Sequence, residues 1–117
     1  MTTFDVAPVS PGEWPGELAG MSLATRLDGP HLVVFLGGEI DISNAELLPQ
    51  FVVGACLGCE SVRIDIAHVT FLDSSLLRAL LICQAEFIQA GVDFKVRNAT
   101  DQARRIFEMT SLGSLLE

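Results

Sequence analysis

The stretch from Val62 to Arg97 constrains this chain most. Val62, Ile64 and Ile66 alternate with Arg63 and Asp65, and Val92, Phe94 and Val96 alternate with Asp93, Lys95 and Arg97. A period of two puts one face of a strand in a dry environment and the other in a wet one. Between the two runs, Asp73-Ser74-Ser75 opens a segment that reaches Ala90 and stops at Gly91. Leu76, Leu80, Cys83 and Phe87 form one stripe at helical spacing, and Leu77, Leu81 and Ile88 form a second. That spacing predicts an amphipathic helix with a broad apolar face and a glycine stop. A strand–helix–strand unit of this length closes as two parallel strands with a right-handed crossover.

The remaining patterns extend the same layer. Met21 to Leu27 reads as a strand ended by the turn residues Asp28-Gly29-Pro30, and His31 to Leu36, with its apolar run from Leu32, as a strand buried on both faces. Ser43-Asn44-Ala45-Glu46 has the spacing of a capping box, with Ile42 and Leu47 placed as a hydrophobic staple. Pro49, about two turns in, should kink that helix because it has no N–H to give. A last helix is expected from Asp101 to Met109, capped by Thr100 or Asn98, with Ile106, Phe107 and Met109 as its apolar residues and Arg104 and Arg105 in water. The order β-β-α-β-α-β-α predicts a two-layer α/β domain over residues 21–117, with helices on one face of the sheet.

Residues 1–20 differ. They hold three of the five prolines and three acids without a base, which reads as an acidic tail, mobile or loosely docked. Trp14 is the exception: docking of its indole on the domain is the expectation, with docking on a partner as the alternative.

Composition excludes several classes. With 117 residues, half of them hydrophobic and 19% charged, the chain is one folded domain and not a disordered one. A net charge of −8 repels phosphate backbones and anionic headgroups, so direct nucleic-acid binding and membrane insertion are not expected. No apolar run is long enough for a membrane span, and no signal peptide is visible. Three cysteines, Cys56, Cys59 and Cys83, are too few for a disulfide framework, so a reducing cytoplasm is the expected location.

The inventory of chemical groups is thin. His31 and His68 have no neighbours at ligand spacing and read as a strand-end and a loop histidine. Cys56-Leu57-Gly58-Cys59 lacks a second pair for zinc and falls at a helix end whose dipole disfavours a thiolate, so its cysteines read as small apolar residues. Gly37-Gly38 is followed by acids and by no Lys-Ser/Thr, so it is no phosphate loop. Glu39 and Asp41 read as an acidic rim, not a metal site. Hence no cofactor, no metal and no enzyme activity are expected. What remains is Asp73-Ser74-Ser75. Acid and serine are ordinary helix caps, yet a cap needs one oxygen and three polar residues stand here. A hydroxyl in a helix's first turn is open to a kinase, and a phosphate there meets free N–H groups and the positive end of the dipole.

In order and spacing, Gly38-Glu39-Ile40-Asp41-Ile42, Val62-Arg63-Ile64-Asp65-Ile66, Val69-Thr70-Phe71-Leu72-Asp73-Ser74-Ser75 and Arg105-Ile106-Phe107-Glu108-Met109-Thr110-Ser111-Leu112 resemble a STAS domain, specifically the bacterial anti-sigma factor antagonists. The likeness runs collinearly over residues 21–117 and implies a mixed sheet of about four to five strands. It implies partner switching: the unphosphorylated protein binds an anti-sigma factor with serine kinase activity, phosphorylation ends that binding, and a serine phosphatase restores it. Ser75 matches the family's regulatory serine, with Ser74 as its alternative. Asp41, Asp73, Ser74, Ser75 and Leu76 are the expected partner-binding residues. Leu76 stands where the family usually has glycine, and its bulk is expected to crowd the approach to Ser75. A STAS subunit or scaffold that docks on a transporter or signalling complex without phosphorylation is the alternative. Whether the chain forms a homodimer is left open.

Overall fold

A computed structural model describes residues 16–117, with side chains from residue 19 onward. Trp14 and the rest of residues 1–15 lie outside the described residues. The strands are β1 (Gly16–Leu18), β2 (Met21–Asp28), β3 (His31–Ile40), β4 (Ser61–Leu72) and β5 (Asp93–Arg97). The helices are α1 (Leu48–Ala55), α2 (Ser74–Ala90) and α3 (Asp101–Met109), with single 3-10 turns at Ala45–Leu47 and Gly113–Leu115. The sheet order is β1-β2-β3-β4-β5. The first three strands form an antiparallel meander, and β3, β4 and β5 run parallel. The sheet is therefore mixed, as expected, and starts at Gly16, ahead of residue 21.

Alternation decides which side chains enter the core. Leu32, Val34 and Leu36 of β3, Val62, Ile64 and Ile66 of β4, and Phe94 and Val96 of β5 share one cluster with Leu48, Leu76, Leu80, Phe87 and Phe107 from the helices. Each such side chain contributes about 1.5–3 kcal/mol by leaving water. Val33 and Phe35 point to the other face and are also fully buried, so β3 is dry on both sides as its sequence requires. That face corrects one expectation. Alternation assigns Asp65 to the wet side, yet it is 1% exposed. Its carboxylate accepts hydrogen bonds from Arg97 Nε at 3.0 Å, Asn98 Nδ2 at 2.8 Å and the Ala67 N–H at 3.0 Å. A buried carboxylate is tolerable only with partners of this kind. The Arg97 guanidinium also lies over the Phe35 ring, 5.8 Å from its centroid.

Helix signals succeed where the cap is local. α2 starts after Asp73, whose carboxylate accepts the Ser75 N–H at 2.8 Å, and ends at Gly91 with φ +74°. α3 is capped by Thr100, whose hydroxyl accepts the Ala103 N–H at 3.1 Å. Its Arg104 and Arg105 are exposed and Phe107 is buried, but Met109 is 82% exposed. In α2 the first stripe and Leu77 are buried, while Leu81 and Ile88 face water.

The first helix departs from its expected form. No capping box closes at Ser43; a 3-10 turn intervenes and α1 begins at Leu48. Pro49 thus sits in the first turn, where a missing N–H costs nothing, and does not kink the helix. Ile42 is 75% exposed and forms no staple. His68 lies within β4, opposite Gly37, and not in a loop. Cys56 and Cys59 are not independent small residues but are joined as a disulfide, with Cα atoms 5.4 Å apart. No helix among the described residues is long and apolar enough to cross a membrane.

Candidate functional site

Register brings the predicted residues together. In the parallel pair β3–β4, Ile40 lies opposite Leu72, so the two strands end side by side. Asp41 leaves one strand and Asp73 the other at the carboxyl edge of the sheet, the edge where parallel α/β layers place their sites. Leu76, Leu77 and Leu80 then anchor α2 in the core and fix which way its first turn faces.

In that turn Ser74 is exposed and Ser75 half-buried. The Asp73 carboxylate takes the backbone N–H of Ser75, so the cap is supplied by the acid and the Ser75 hydroxyl is not needed for it. Ser75 lines a groove of about 300 Å³ with Ile42, Ala45, Glu46, Pro49, Arg78, Ala79 and Ile82. Its rim is open and mixed: Ile42 and Ile82 are 75% and 45% exposed, and the charged Glu46 and Arg78 are exposed beside them. One wall is α2, and the other is the segment from Ile42 into α1. Leu76 is fully buried, which corrects two expectations. Its side chain cannot touch a partner, and it does not stand between Ser75 and solvent.

The second wall is held by groups that the sequence does not advertise. Asp41 Oδ1 accepts the Ser43 N–H at 2.9 Å and the Ser43 hydroxyl, and the Asp41 carbonyl accepts the N–H groups of Asn44 and Ala45. Asp41 therefore braces its own loop and does not line the groove. Asn44, read from sequence as one residue of a capping box, is 2% exposed. Its Oδ1 accepts the Asp41 N–H at 3.1 Å, and its Nδ2 donates to the carbonyls of Ala19 and Glu39 at 3.1 and 2.9 Å. One amide thus ties the β1–β2 turn, the end of β3 and the groove wall. The turn needs its glycines too: Gly38 has φ +87°, and a Cβ there would lie 3.1 Å from the Gly20 carbonyl oxygen. Only burial distinguishes Asn44 from any loop asparagine, so no sequence pattern marks it.

Two outcomes follow from this wall. Asn44→Ala strands one N–H and two carbonyls and is expected to cost about 2–3 kcal/mol, read as a lower urea midpoint at unchanged slope. The hydrogen bonds from Ser43, side chain first and then backbone, hold the Asp41 carboxyl below its ordinary pKa. A carboxyl depressed in the folded state adds stability above its unfolded pKa, and the contribution is lost as pH falls through the folded value. A carboxyl-carbon NMR titration should find the Asp41 midpoint below that of unfolded Asp, with Ser43→Ala moving it back up.

Elsewhere the groups for other chemistry stay apart. His31 Nδ1 lies 2.7 Å from the Ser61 hydroxyl at the opposite end of the sheet, and Glu39 is exposed. Among the described residues no three His, Cys, Asp or Glu side chains gather as metal ligands.

Comparison with known proteins agrees with this architecture. Bacillus SpoIIAA, an anti-sigma factor antagonist, in its unphosphorylated form superposes with a TM-score of 0.71 at 18% identity, over 81% of this chain and 85% of that one. An anti-sigma factor antagonist from Mycobacterium paratuberculosis gives 0.69 at 26% identity over 82% of each chain. The murine anion transporter Slc26a9 gives 0.63 at 18% identity over 92% of this chain but 17% of the transporter. No curated protein sequence matches significantly. The sequence profile described as MlaB, STAS domain, matches residues 23–117, and the chain belongs to the STAS domain family.

Proposed function

We propose that this STAS domain is an anti-sigma factor antagonist that works by partner switching, a binding module and not an enzyme. The observation that carries the reading is the position of Ser75. Its hydroxyl has no hydrogen-bond partner among the described residues and lines an open groove edged by Ile42 and Ile82 and by the charged Glu46 and Arg78. Unphosphorylated, the groove presents Ile42 and Ile82 to an anti-sigma factor that carries serine kinase activity. A phosphate adds about −1.5 to −2 charges at pH 7, beside Asp73 and in the middle of the surface that must lose water. Within the free protein, the N–H groups and dipole of α2 offset part of that charge. At an interface they are not enough, and the partner leaves. A serine phosphatase resets the cycle. Ser74, more exposed than Ser75, is the second acceptor. A cytoplasmic location fits these partners.

A second reading keeps the groove and drops the phosphate: a STAS subunit docked on a transporter. It rests on the likeness to the domain within the anion transporter Slc26a9. Incubation with ATP and the candidate kinase, followed by mass spectrometry, separates the two. Phosphate on Ser75 supports switching. Stoichiometric recovery of a transporter from native cells, equal for wild type, Ser75→Ala and Ser75→Asp, rejects it.

A further inference from the structure

The end of α1 far from the groove carries a second site. Cys56 is the last cap of α1, its N–H shared between the carbonyls of Val52 and Val53 at 3.1 and 3.3 Å. Cys59 is held from the other side: the N–H of the next residue, Glu60, reaches the Pro30 carbonyl at 2.7 Å, and the Glu60 carbonyl accepts the Asp93 N–H at 3.1 Å. The backbone thus fixes both cysteines independently of their sulfurs. It leaves their Cα atoms 5.4 Å apart, inside the range a disulfide requires, with Gly58 at φ +77° making the turn between them. A cleft of about 270 Å³ borders both cysteines, lined also by Val53, Gly58, Glu86 and Phe87. Both residues are half-buried, packed against the core but not sealed in it.

We propose that Cys56 and Cys59 form a reversible thiol–disulfide site, opened and closed by small thiols and disulfides of the glutathione class. In closing, the thiolate of one cysteine attacks a sulfur of R–S–S–R, forms a mixed disulfide and expels R–S⁻. The second cysteine's thiolate then attacks the protein sulfur and expels the other R–S⁻. Two electrons pass from the cysteine pair to the small disulfide, and the two thiol protons end on two R–SH. Reduction is the same exchange in reverse. The bond closes only the loop from Cys56 to Cys59, a separation of 3, and the gain from a crosslink grows with loop length. The fold therefore holds both states, and neither is locked. Cys83 takes no part: it is fully buried, and burial pushes its thiol up to about 12.

The test is alkylation and peptide mapping of the full chain, with thermal unfolding alongside. After equilibration with excess oxidised glutathione and denaturation, one thiol per chain, Cys83, should alkylate; after excess reduced glutathione, all three should. Reduction should lower Tm by roughly 5–10 °C, and Cys59→Ser should match the reduced wild type and no longer respond to reductant. Three reactive thiols under oxidation, a bridge to Cys83, a pair that stays closed in excess reduced glutathione, or a Tm indifferent to redox state would each overturn the proposal.

Discussion

Ser75→Asp is expected to weaken the complex with the anti-sigma factor by at least about 100-fold while leaving the fold intact. The carboxylate would enter a groove whose exposed edges include Ile42, Ile82 and Glu46, close to the Asp73 carboxylate that already caps α2. Docking a partner there strips water from the new charge, which the exposed Arg78 offsets only in part, a cost of several kcal/mol. At about 1.4 kcal/mol per tenfold, two decades or more are lost. The free protein is affected differently. An acid in the first turn of a helix is favourable, and Arg78 lines the same groove one turn further on. Tm should therefore stay within a few degrees of wild type. Ser75→Ala should bind as the unmodified protein does and resist release by kinase and ATP. Titration calorimetry of the three proteins against the purified partner reads the result, and equal affinities for Ser75→Asp and wild type would sink the switch.

Asp65→Ala should be the most damaging of the substitutions considered, by about 3–5 kcal/mol. It removes the acceptor for Arg97 Nε, Asn98 Nδ2 and the Ala67 N–H at once, in a place where water has little access. The Arg97 side chain is itself only 10% exposed, so its charge loses a carboxylate that burial makes hard to replace. For a domain of this size the expected fall in Tm exceeds about 10 °C. Asp65→Asn, which keeps the shape and part of the hydrogen bonding, should recover some of it. Thermal unfolding followed by circular dichroism decides, and an Asp65→Ala protein within about 1 kcal/mol of wild type would show that the pair contributes little beyond placement.

Much of this was readable beforehand, for a definite reason. The alternation from Val62 to Ile66, the stripe from Leu76 to Phe87, the Asp73 cap and the Gly91 stop all act within a few residues, so strands, α2 and the Ser75 turn follow from local spacing alone. Membership of the STAS family came the same way, from the order of short motifs. What local spacing cannot carry is the meeting of distant segments. Ile40 beside Leu72 sets the groove, Asn44 reaches Ala19 across 25 positions, and Asp65 finds Arg97 across 32. Those contacts turned an expected capping box into a loop braced by Asp41, buried an acid that alternation assigns to water, and turned Leu76 from an obstacle at the site into its anchor. Burial is a property of the packed layers and not of any one segment. The sequence by itself therefore determined β2 to β5, α2, α3 and the candidate serine, while tertiary packing decided the short β1, the form of the first helix, which polar groups lie inside and which side chains face the groove.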